Sequence, residues 1–515
     1  MKKKRHHQNV KILFLLTALI QLSGCTASIP LRSGTDVTLP PPAQQYEAPQ
    51  GDAGTGYAQT VLLSLPSTQS GQLQMYPERI LLSHTKHPAE FTLRKLFSYI
   101  GTTQANPLSE SVQLSLIPGS SVEISGETAT VNLGAGALAL NNKERYLVSR
   151  SITNTLTQWG DIRFVNVLIN GRQQGIDTAA ALPLGSLTKT ENDDINALWE
   201  AVNRQPAANG GSFSSIVTLY FPATAGRGIL AEARPVNLQS GSFPEMTRAI
   251  LQALSMGSST LPNVPQVPDL LTLLSQDPVI EEQADASGRV VNLHFYESAN
   301  EALIASGIPR SVLMASLTYT LTTFLPYTAG VRVFIGDEEI QAVVPAGLFE
   351  GAGQEILFNQ GIMQRSQFSR FLLDHCSLYF ANAAGTLSLT RRPIPYYEAY
   401  NPRFLMNQLI TGPMNTDSVS ELLPVLPPAL SDADLLGITR QGDTVLVNFS
   451  GNLLTQTSSL DEREERLMVY AMVNTLTAQR GMNRVCFYIE GKQAGTFSGR
   501  IDVAGTFLRN EGIIQ

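Results

Sequence analysis

The sequence contains little cysteine and little charge. Only three of its 515 residues are cysteine, and Asp, Glu, Lys and Arg make up 15% of the chain, against about 25% in an average soluble domain. Three cysteines exclude a disulfide framework and a four-cysteine zinc site. The low charge, together with 43% hydrophobic residues, excludes a disordered acidic chain and a nucleic-acid binder with a basic face.

Motifs that indicate catalysis are also missing. Residues 495–499 miss a nucleophile elbow by one position, and Gly134–Gly136 lacks the third glycine of a dinucleotide fingerprint. His84 and His87 form the one histidine pair at ligand-like spacing, which we interpret as a loop or a helix start rather than a metal site. We interpret His294, on a predicted strand, as a structural histidine. We therefore predict no catalytic residues, no metal site, no cofactor and no enzyme activity.

The apolar run near the N-terminus is too short to cross a membrane, which takes about 20 apolar residues. It spans residues 12–20, follows the basic stretch Met1–Lys11, and is followed by a Leu-Ser-Gly-Cys sequence that ends at Cys25. A basic stretch before a short apolar run is typical of a secretory signal, and Leu-Ser-Gly-Cys resembles a bacterial lipobox. We predict a lipoprotein signal peptide over 1–24, lipidation of Cys25, and a location on the extracytoplasmic face of the bacterial cell membrane. The alternative is a plain signal peptide in which Cys25 is incidental.

Removal of the signal peptide would make the chain more acidic. The segment before Cys25 holds five of the 36 basic residues and no acid, so 31 basic and 43 acidic residues remain, a net charge of −12. An acidic chain gains nothing from anionic lipid or nucleic acid. We therefore expect membrane contact through the lipid on Cys25 and no nucleic-acid partner. Residues 25–56, rich in Pro, Ser, Thr, Gly and Gln, predict a flexible tether.

A Thr-Leu-Thr sequence recurs three times, at 155–157, 320–322 and 475–477, with spacings of 165 and 155 residues. In each case apolar residues precede the central leucine at four-residue intervals, which predicts one buried stripe on each of three equivalent helices. A strand-like segment follows each helix and another precedes it. Further upstream, each copy has two strands and a shorter helix.

This order predicts an α+β fold of three tandem β-β-α-β-β-α-β repeats, each a small sheet with two helices on one face. The predicted repeats span residues 57–184, 213–345 and 371–505. The intervening segments, 185–212 and 346–370, are candidate linkers of lower complexity.

The repeated motifs resemble the GerMN (germane) domain family of sporulation and spore-germination lipoproteins. The third repeat carries the fullest match, whereas Tyr319 of the second repeat stands where the first and third have Asn154 and Asn474. The resemblance implies extracytoplasmic domains without reported catalytic residues, structurally similar to ring-building modules of secretion-type assemblies. The motifs that carry it are Leu219–Phe221, Leu378–Phe380, Val447–Ser450, Val473–Thr477 and Val485–Gly491.

The leading functional hypothesis is a non-enzymatic, lipid-anchored scaffold or assembly protein that binds envelope proteins or itself, in sporulation, spore germination or cell-envelope processes. A deep pocket lined by converging acids and imidazoles would contradict it. The alternative is a lipoprotein that binds cell-wall fragments or another small ligand in a cleft between domains. Tyr396, Tyr397 and Tyr400 form the one aromatic cluster suited to stacking on a sugar, although they can equally pack a loop.

Three further groups have structural interpretations. The acidic cluster at Asp461–Arg466 favours the positive end of a helix, and Arg391 with Arg392 fits a solvated strand edge or a carboxylate on a partner. Cys376 is predicted to face the core and Cys486 to face away from it, because they differ in strand phase. A disulfide between them is therefore not expected.

Overall fold

The computed structural model describes residues 38–39, 46–50, 56–66, 72–100, 113–119, 121–175, 182–190, 196–197, 199–200, 211–223, 227–283, 288–346, 353–415, 417, 419, 421–479 and 481–515. The predicted signal peptide and the predicted lipidation site Cys25 lie outside these residues. None of the helices in the described ranges combines the length and the apolar character needed to cross a bilayer.

The described chain starts with a short strand, β1 (Thr38–Leu39), and continues into the first unit. The second helix of this unit starts at Asn141, whose side chain accepts a hydrogen bond from the backbone N–H of Glu144 while the Glu144 side chain accepts one from Asn141, which is a capping box. The elements of the first unit are β2 (Tyr57–Pro66), β3 (Leu73–Leu82), α1 (Pro88–Tyr99), β4 (Val122–Ser125), β5 (Thr128–Leu133), α2 (Asn142–Leu156), β6 (Phe164–Ile169) and β7 (Arg172–Gln173).

The second unit has the same order with two additional short helices and one additional hairpin. Its elements are β8 (Phe213–Pro222), β9 (Ile229–Leu238), α3 (Phe243–Ser255), α4 (Leu270–Leu273), β10 (Val279–Glu282), β11 (Arg289–Phe295), α5 (Ala299–Ser306), α6 (Arg310–Phe324), β12 (Thr328–Ile335), β13 (Glu338–Glu339), β14 (Ala342–Val343) and β15 (Ile356–Leu357).

The third unit has one additional helix before its long helix. Its elements are β16 (Leu373–Ala381), β17 (Leu387–Pro395), α7 (Pro402–Thr411), β18 (Leu435–Gln441), β19 (Thr444–Phe449), α8 (Asn452–Thr457), α9 (Glu462–Thr477), β20 (Arg484–Ile489), β21 (Lys492–Gln493) and β22 (Thr506–Leu508). Short 3-10 turns occur at Ala135–Ala139, Asn359–Gly361, Arg365–Phe371, Tyr396–Glu398, Asp432–Asp434 and Glu511–Ile513.

Each unit contains at least two sheets rather than the single small sheet predicted, and in the second unit β14 and β15 form a third. The first two strands form a separate hairpin, β2–β3, β8–β9 or β16–β17, and the later strands form a mixed sheet. The mixed sheets have the orders β4-β5-β6-β7, β10-β11-β12-β13 and β1-β22-β20-β19-β18, with β21 beside β20. Parallel pairs such as β5 and β6 are joined through the long helix. The predicted α+β class is confirmed.

The repeated Thr-Leu-Thr sequence holds each hairpin against its long helix. In all three units the first threonine hydroxyl accepts a hydrogen bond from a backbone N–H of the first hairpin strand. The helix thus satisfies a buried donor of that strand, which would otherwise cost free energy. The three pairs are Thr155 with Ser64 at 2.9 Å, Thr320 with Tyr220 at 3.0 Å and Thr475 with Tyr379 at 3.3 Å.

The units extend further towards the C-terminus than the sequence predicts. After the turn that follows β6, β12 or β20, the chain returns and pairs antiparallel with that same strand. These pairings are Val165 with Leu187, Val331 with Met363 and Val485 with Phe507. The described residues of 353–370 are therefore not a linker, and Phe358, Met363 and Phe368 lie in the core of the second unit.

Part of the predicted tether contacts the third unit. β1 pairs antiparallel with β22, and Pro49 is buried. The hydroxyl of Tyr488 donates to the carbonyl of Tyr46 at 3.1 Å. The low-complexity composition of residues 25–56 did not indicate these contacts. The strand pairing and the bond to Tyr46 are made by the backbone, so they do not depend on a particular side chain.

Candidate functional site

The three units meet around a cleft of about 610 Å³, the junction cleft. Titratable side chains from every unit line it: Asp161 belongs to the first unit, Glu232 to the second, and Asp374 with His375 to the third. Such a convergence of acids and an imidazole is the feature that would argue for catalysis. The hydrogen bonds and pKa of each group therefore decide what the cleft can do.

Asp374 is a buried carboxylic acid in this cleft. Its Oδ1 accepts hydrogen bonds from the backbone N–H groups of Gly126, at 3.1 Å, and His375, at 2.7 Å. Burial raises the pKa of Asp374 from its ordinary 3.8 to about 7, with a smaller contribution from the Asp161 carboxylate. Among the described residues, no hydroxyl, thiol or imidazole hydrogen-bonds to this carboxyl group, as nucleophilic or acid–base catalysis requires.

His375 is a poor base. Burial, together with the positive charge of Arg391, lowers the pKa of His375 to about 4. A general base works best when its pKa lies near the working pH. At neutral pH the His375 ring is therefore uncharged and only weakly basic.

His87 and Asp161 resemble a catalytic pair, but both ring nitrogens of the histidine are engaged. His87 precedes α1, and its Nδ1 accepts a hydrogen bond from the backbone N–H of Ala89 at 2.9 Å. Its Nε2 lies 2.9 Å from Asp161 Oδ2. Because Nδ1 accepts, the proton of the neutral ring is on Nε2 and points at Asp161. No lone pair remains to take a proton from a substrate, so the pair fixes the start of the helix.

Glu232 is fully occupied by donors from one loop. Ser259 donates to it through its backbone N–H at 3.0 Å and its hydroxyl at 2.8 Å, and the Thr260 hydroxyl donates at 3.0 Å. Burial would raise the pKa of Glu232, but the hydrogen bonds from Ser258, Ser259 and Thr260 outweigh it and lower the pKa. The carboxylate therefore holds a loop in place.

A second buried carboxylate, Glu465 of α9, holds the loop that contains the near-match to a nucleophile elbow. It accepts hydrogen bonds from the backbone N–H groups of Phe497, at 3.0 Å, and Ile501, at 3.1 Å, and from the Ser498 hydroxyl at 2.5 Å. These bonds lower the pKa of Glu465 against the opposing effect of burial. Ser498 therefore donates to a structural carboxylate, without the histidine that would activate a serine nucleophile.

The units are joined by a buried ion pair. Arg365, which follows β15, donates to Oε2 of Glu123 in β4 through Nε at 3.1 Å and through a terminal nitrogen at 2.6 Å. The guanidinium lies 4.0 Å from the ring centre of Tyr319 and donates to the Tyr220 hydroxyl at 3.1 Å. Burial would lower the pKa of Arg365, but Glu123 and the two tyrosines raise it. The pair thus fixes the second unit to the first.

A smaller cavity of about 220 Å³, the tyrosine pocket, contains the predicted aromatic cluster. Tyr396, Tyr397 and Tyr400 line it together with Lys86 and His87 of the first unit. The rings of Tyr400 and His87 pack edge to face with centres 4.2 Å apart, and Tyr397 is 43% exposed. The cluster therefore lies at the seam between the first and third units, with one ring open to solvent.

The two histidines at ligand-like spacing are not brought to one site. His84 is buried, and its Nδ1 accepts a hydrogen bond from the backbone N–H of Arg440 in the third unit at 3.1 Å, whereas His87 bonds to Ala89 and Asp161. His294 stacks on Phe334 with ring centres 4.3 Å apart, as expected of a structural histidine. Within the described ranges, no group of three or more His, Cys, Asp or Glu side chains is arranged to bind a metal.

The remaining predicted groups have structural partners within the chain. Arg392 makes two hydrogen bonds to Asp417, at 2.9 and 2.8 Å, and both side chains are buried. Arg392 therefore does not lie at a solvated edge. The neighbouring Arg391 lines the junction cleft. Asp461 caps α9 by accepting a hydrogen bond from the backbone N–H of Glu464 at 2.8 Å, in agreement with helix support.

The two described cysteines are free and buried. Cys376 lies in the core of the third unit, among the residues beneath the long helix. Cys486 belongs to the mixed sheet and faces away from that core, in a separate cluster with Leu446 and Tyr488. This agrees with the strand phases in the sequence.

The match to a protein-family model lies in the third unit. Residues 377–495 match the family model described as Germane, sporulation and spore germination. The resemblance seen in the sequence motifs of the third unit is thereby confirmed over these residues, which include the three tyrosines of the tyrosine pocket. Asp374 and His375 lie just before them.

Solved structures also match the chain. The tandem GerMN domains of the sporulation protein GerM from Bacillus subtilis match at 16% identity, covering 59% of this chain and 99% of that one, with a TM-score of 0.22. A putative lipoprotein from Clostridium perfringens matches at 19% identity, covering 26% of this chain and 87% of that one, with a TM-score of 0.19. The first GerMN domain of GerM matches at 18% identity, covering 26% and 96%, with a TM-score of 0.17. A search of curated sequences finds no match.

Proposed function

We propose that the protein is a lipid-anchored, extracytoplasmic assembly protein without enzymatic activity, which presents three Germane-like units as one body. One observation carries this proposal: the carboxylates Glu232 and Asp374 of the junction cleft, and the neighbouring His87, are bonded to groups of the chain itself. His87 and Glu232 have no lone pair to spare, and Asp374 joins the third unit to the first. The Germane domain supports a role in sporulation, spore germination or a related envelope process.

We infer further that the three units are copies of one ancestral domain. The same threonine hydroxyl binds the same strand N–H in each unit, and the same returning segment closes each mixed sheet. These contacts involve non-adjacent residues, so their recurrence supports duplication more strongly than composition does.

The anchor is tested by metabolic labelling with a fatty-acid analogue in a bacterial host that processes lipoproteins. The wild-type chain is expected to take up the label and to float with membranes, and Cys25→Ala is expected to do neither. Cys486→Ala is the matched control, because that thiol is buried in the third unit. Incorporation of label into Cys25→Ala would contradict the anchor.

The assembly role is tested by chemical cross-linking in the native envelope, followed by size-exclusion chromatography of the purified chain. We expect specific cross-linked partners, or self-association above the size of one chain. A strictly monomeric chain without any cross-linked envelope partner would contradict the proposal. Conversion of a substrate that is lost on Asp374→Asn would replace it with an enzymatic function.

The tyrosine pocket favours a second candidate function, the binding of a cell-wall fragment at the seam between the first and third units. Three tyrosine rings line this cavity, and Tyr397 is open to solvent. Sedimentation with peptidoglycan tests it: Tyr397→Ala should release the chain from the pellet. Tyr296→Ala is the control, since Tyr296 is 53% exposed on the second unit, away from the pocket. Equal sedimentation of all three chains would eliminate this candidate.

A further inference from the structure

The outer face of each mixed sheet, opposite the long helix, has a different cover in each unit. On the first unit the cover is the hairpin of the second: the Tyr220 hydroxyl lies 3.2 Å from that of Thr130, and Asn166 donates to Thr218 at 3.1 Å. On the second unit, the corresponding pair of His294 and Phe334 is partly exposed. On the third unit the cover comes from the N-terminal end of the chain.

This cover consists of residues 38–39 and 46–50, the strap. At one end, β1 adds to the edge of the sheet beside β22, with Thr38 opposite Phe507 and Leu39 opposite Thr506. The other end, residues 46–50, crosses the middle strands of the face. The strap therefore contacts the sheet both at its edge and across its surface.

Residues 46–50 make both polar and apolar contacts with this face. The carbonyl of Tyr46 accepts from the Tyr488 hydroxyl at 3.1 Å, and the carbonyl of Pro49 accepts from Asn448 Nδ2 at 3.0 Å. Ala48 packs with Tyr46 against Cys486, whose side chain is 1% exposed beneath them. Burial raises the pKa of Tyr488 to about 12, so its hydroxyl stays protonated and remains a donor.

Gly437 of β18 provides the space for the strap. A Cβ atom at this position would lie 2.4 Å from the Pro49 carbonyl oxygen, and the next nearest atoms also belong to Pro49 and Gln50. Such distances are far below van der Waals contact. The lack of a side chain at Gly437 is therefore required by the strap.

The position of the strap in the sequence connects this face to the anchor. Cys25 and Thr38 are thirteen positions apart, and even a fully extended chain covers at most about 45 Å over that length. The chain is then held by the third unit at two places before it enters the first unit at Tyr57. A lipid on Cys25 would thus be tied to the third unit first.

We propose that the strap makes the third unit the membrane-proximal part of the molecule, with the outer face of its sheet turned towards the lipid bilayer and the second unit held further away. The proposal rests on the lipid anchor proposed above. It differs from the expectation of a free tether, which would place the first unit nearest to the membrane.

The strap contact is tested with the two buried thiols as reporters, in the full chain. Gly437→Val should displace the strap and raise the labelling rate of Cys486 by a thiol reagent at least tenfold, while Cys376 in the core stays protected. Gly495→Ala is the matched control, because a Cβ there meets no atom within 4 Å. If Cys486 stays protected in Gly437→Val, the proposed strap contact is wrong. Labelling of both thiols would indicate that the variant unfolds. In that case the milder Ala48→Asp, which changes the strap itself, repeats the test.

The orientation is tested with the lipidated chain in vesicles that carry a quencher on the lipid headgroups. A fluorophore is attached at Lys492→Cys in the third unit or at Asp337→Cys in the corresponding turn of the second, both in a Cys486→Ser background. We expect at least twofold stronger quenching at position 492, and loss of this difference on Gly437→Val. Equal quenching at the two positions, or a difference that Gly437→Val leaves unchanged, would overturn the proposal. Flotation of the vesicles measures the anchor separately, so failure of the anchor is distinguished from failure of the orientation.

Discussion

At one position of the long helix, the third unit has an asparagine that binds its own returning segment, whereas the second unit has a tyrosine that reaches another unit. In the third unit, Asn474 Nδ2 donates to the carbonyl of Asn510 at 3.0 Å, and Asn474 Oδ1 accepts from the Asn510 backbone N–H at 2.9 Å. Asn154 of the first unit makes the same two bonds to Thr190, at 2.8 and 3.1 Å. In these units the helix therefore holds the unit's own returning segment.

The second unit has Tyr319 at this position, and its partners reach the first unit. The Tyr319 hydroxyl lies 3.3 Å from Glu123, and its ring lies beneath Arg365. Arg509 of the third unit is placed in the same way over Tyr379, but its acidic partner is the local and exposed Glu511. One exchange of asparagine for tyrosine thus accompanies the change from a contact within a unit to a contact between units.

The largest expected difference in stability is between the variants Arg365→Ala and Arg509→Ala. Arg365→Ala leaves the Glu123 carboxylate buried without its partner, which costs about 3–5 kcal/mol of unfolding free energy. Arg509→Ala removes an arginine whose acidic partner is 69% exposed, and such pairs contribute about 1 kcal/mol or less. Urea unfolding of both variants measures the difference. Equal losses of unfolding free energy in the two variants would contradict the distinction between contacts that join two units and contacts within one unit.

The contact between the third and first units should depend on pH through Asp374. Its pKa is raised from 3.8 to about 7 in the folded chain, so the folded state binds a proton that the unfolded state releases, and stability falls as pH rises from about 4 to 7. Asp374→Asn removes this loss, so the free energy of unfolding of the variant should exceed that of wild type by up to about 4 kcal/mol at pH 8 and equal it near pH 4. Thermal unfolding of both chains at pH 4 and pH 8 measures this. A stability difference between variant and wild type that is the same at both pH values would contradict the prediction.

The asparagine bonds should contribute more than the tyrosine hydroxyl that replaces them. Asn474→Ala and Asn154→Ala each remove two hydrogen bonds to the backbone of the returning segment, which should lower the free energy of unfolding by about 2 kcal/mol each. Tyr319→Phe removes only the long bond to Glu123 and should cost less than about 1 kcal/mol. The denaturant midpoints of the three variants rank these effects. A larger loss of stability in Tyr319→Phe than in the asparagine variants would contradict this interpretation of the helix position.

The smallest expected loss of stability comes from removing the threonine hydroxyl that binds the hairpin strand in all three units. Thr155→Val, Thr320→Val and Thr475→Val each remove the acceptor of a strand N–H, and each should lower stability by about 1 kcal/mol. Thr477→Val is the control, because its hydroxyl donates to the carbonyl of Val473 within the same helix. Hydrogen exchange at Ser64, Tyr220 and Tyr379 reports the effect locally. A loss in one unit only would argue against a common contact.

The sequence predicts the helices well because their signals are local. Thr-Leu-Thr and the four-residue apolar spacing lie within single helices, and they place α2, α6 and α9 correctly. Asp461 is likewise predicted as helix support from adjacent residues alone. The alternation of side chains along each strand likewise places Cys376 towards the core and Cys486 away from it.

The joining contacts were not predictable in the same way, because each depends on residues far apart in the chain. Glu123 and Arg365 are separated by 242 positions, and Arg365 lies in a stretch whose composition indicates a linker. The returning segments around Leu187, Met363 and Phe507 share no sequence motif, although they make equivalent strand pairs. A charged residue directly between alanines of a strand, as at Glu232, is a signal that could have indicated a buried polar contact.

Solution X-ray scattering of the chain from residue 26 onward tests the central claim that the three units form one body. A single body of this length has a radius of gyration of about 23 Å, whereas three units moving separately in a row exceed about 30 Å. We predict the smaller value for wild type and an increase for Arg365→Ala. A wild-type value above about 30 Å, unchanged by Arg365→Ala, would contradict the account.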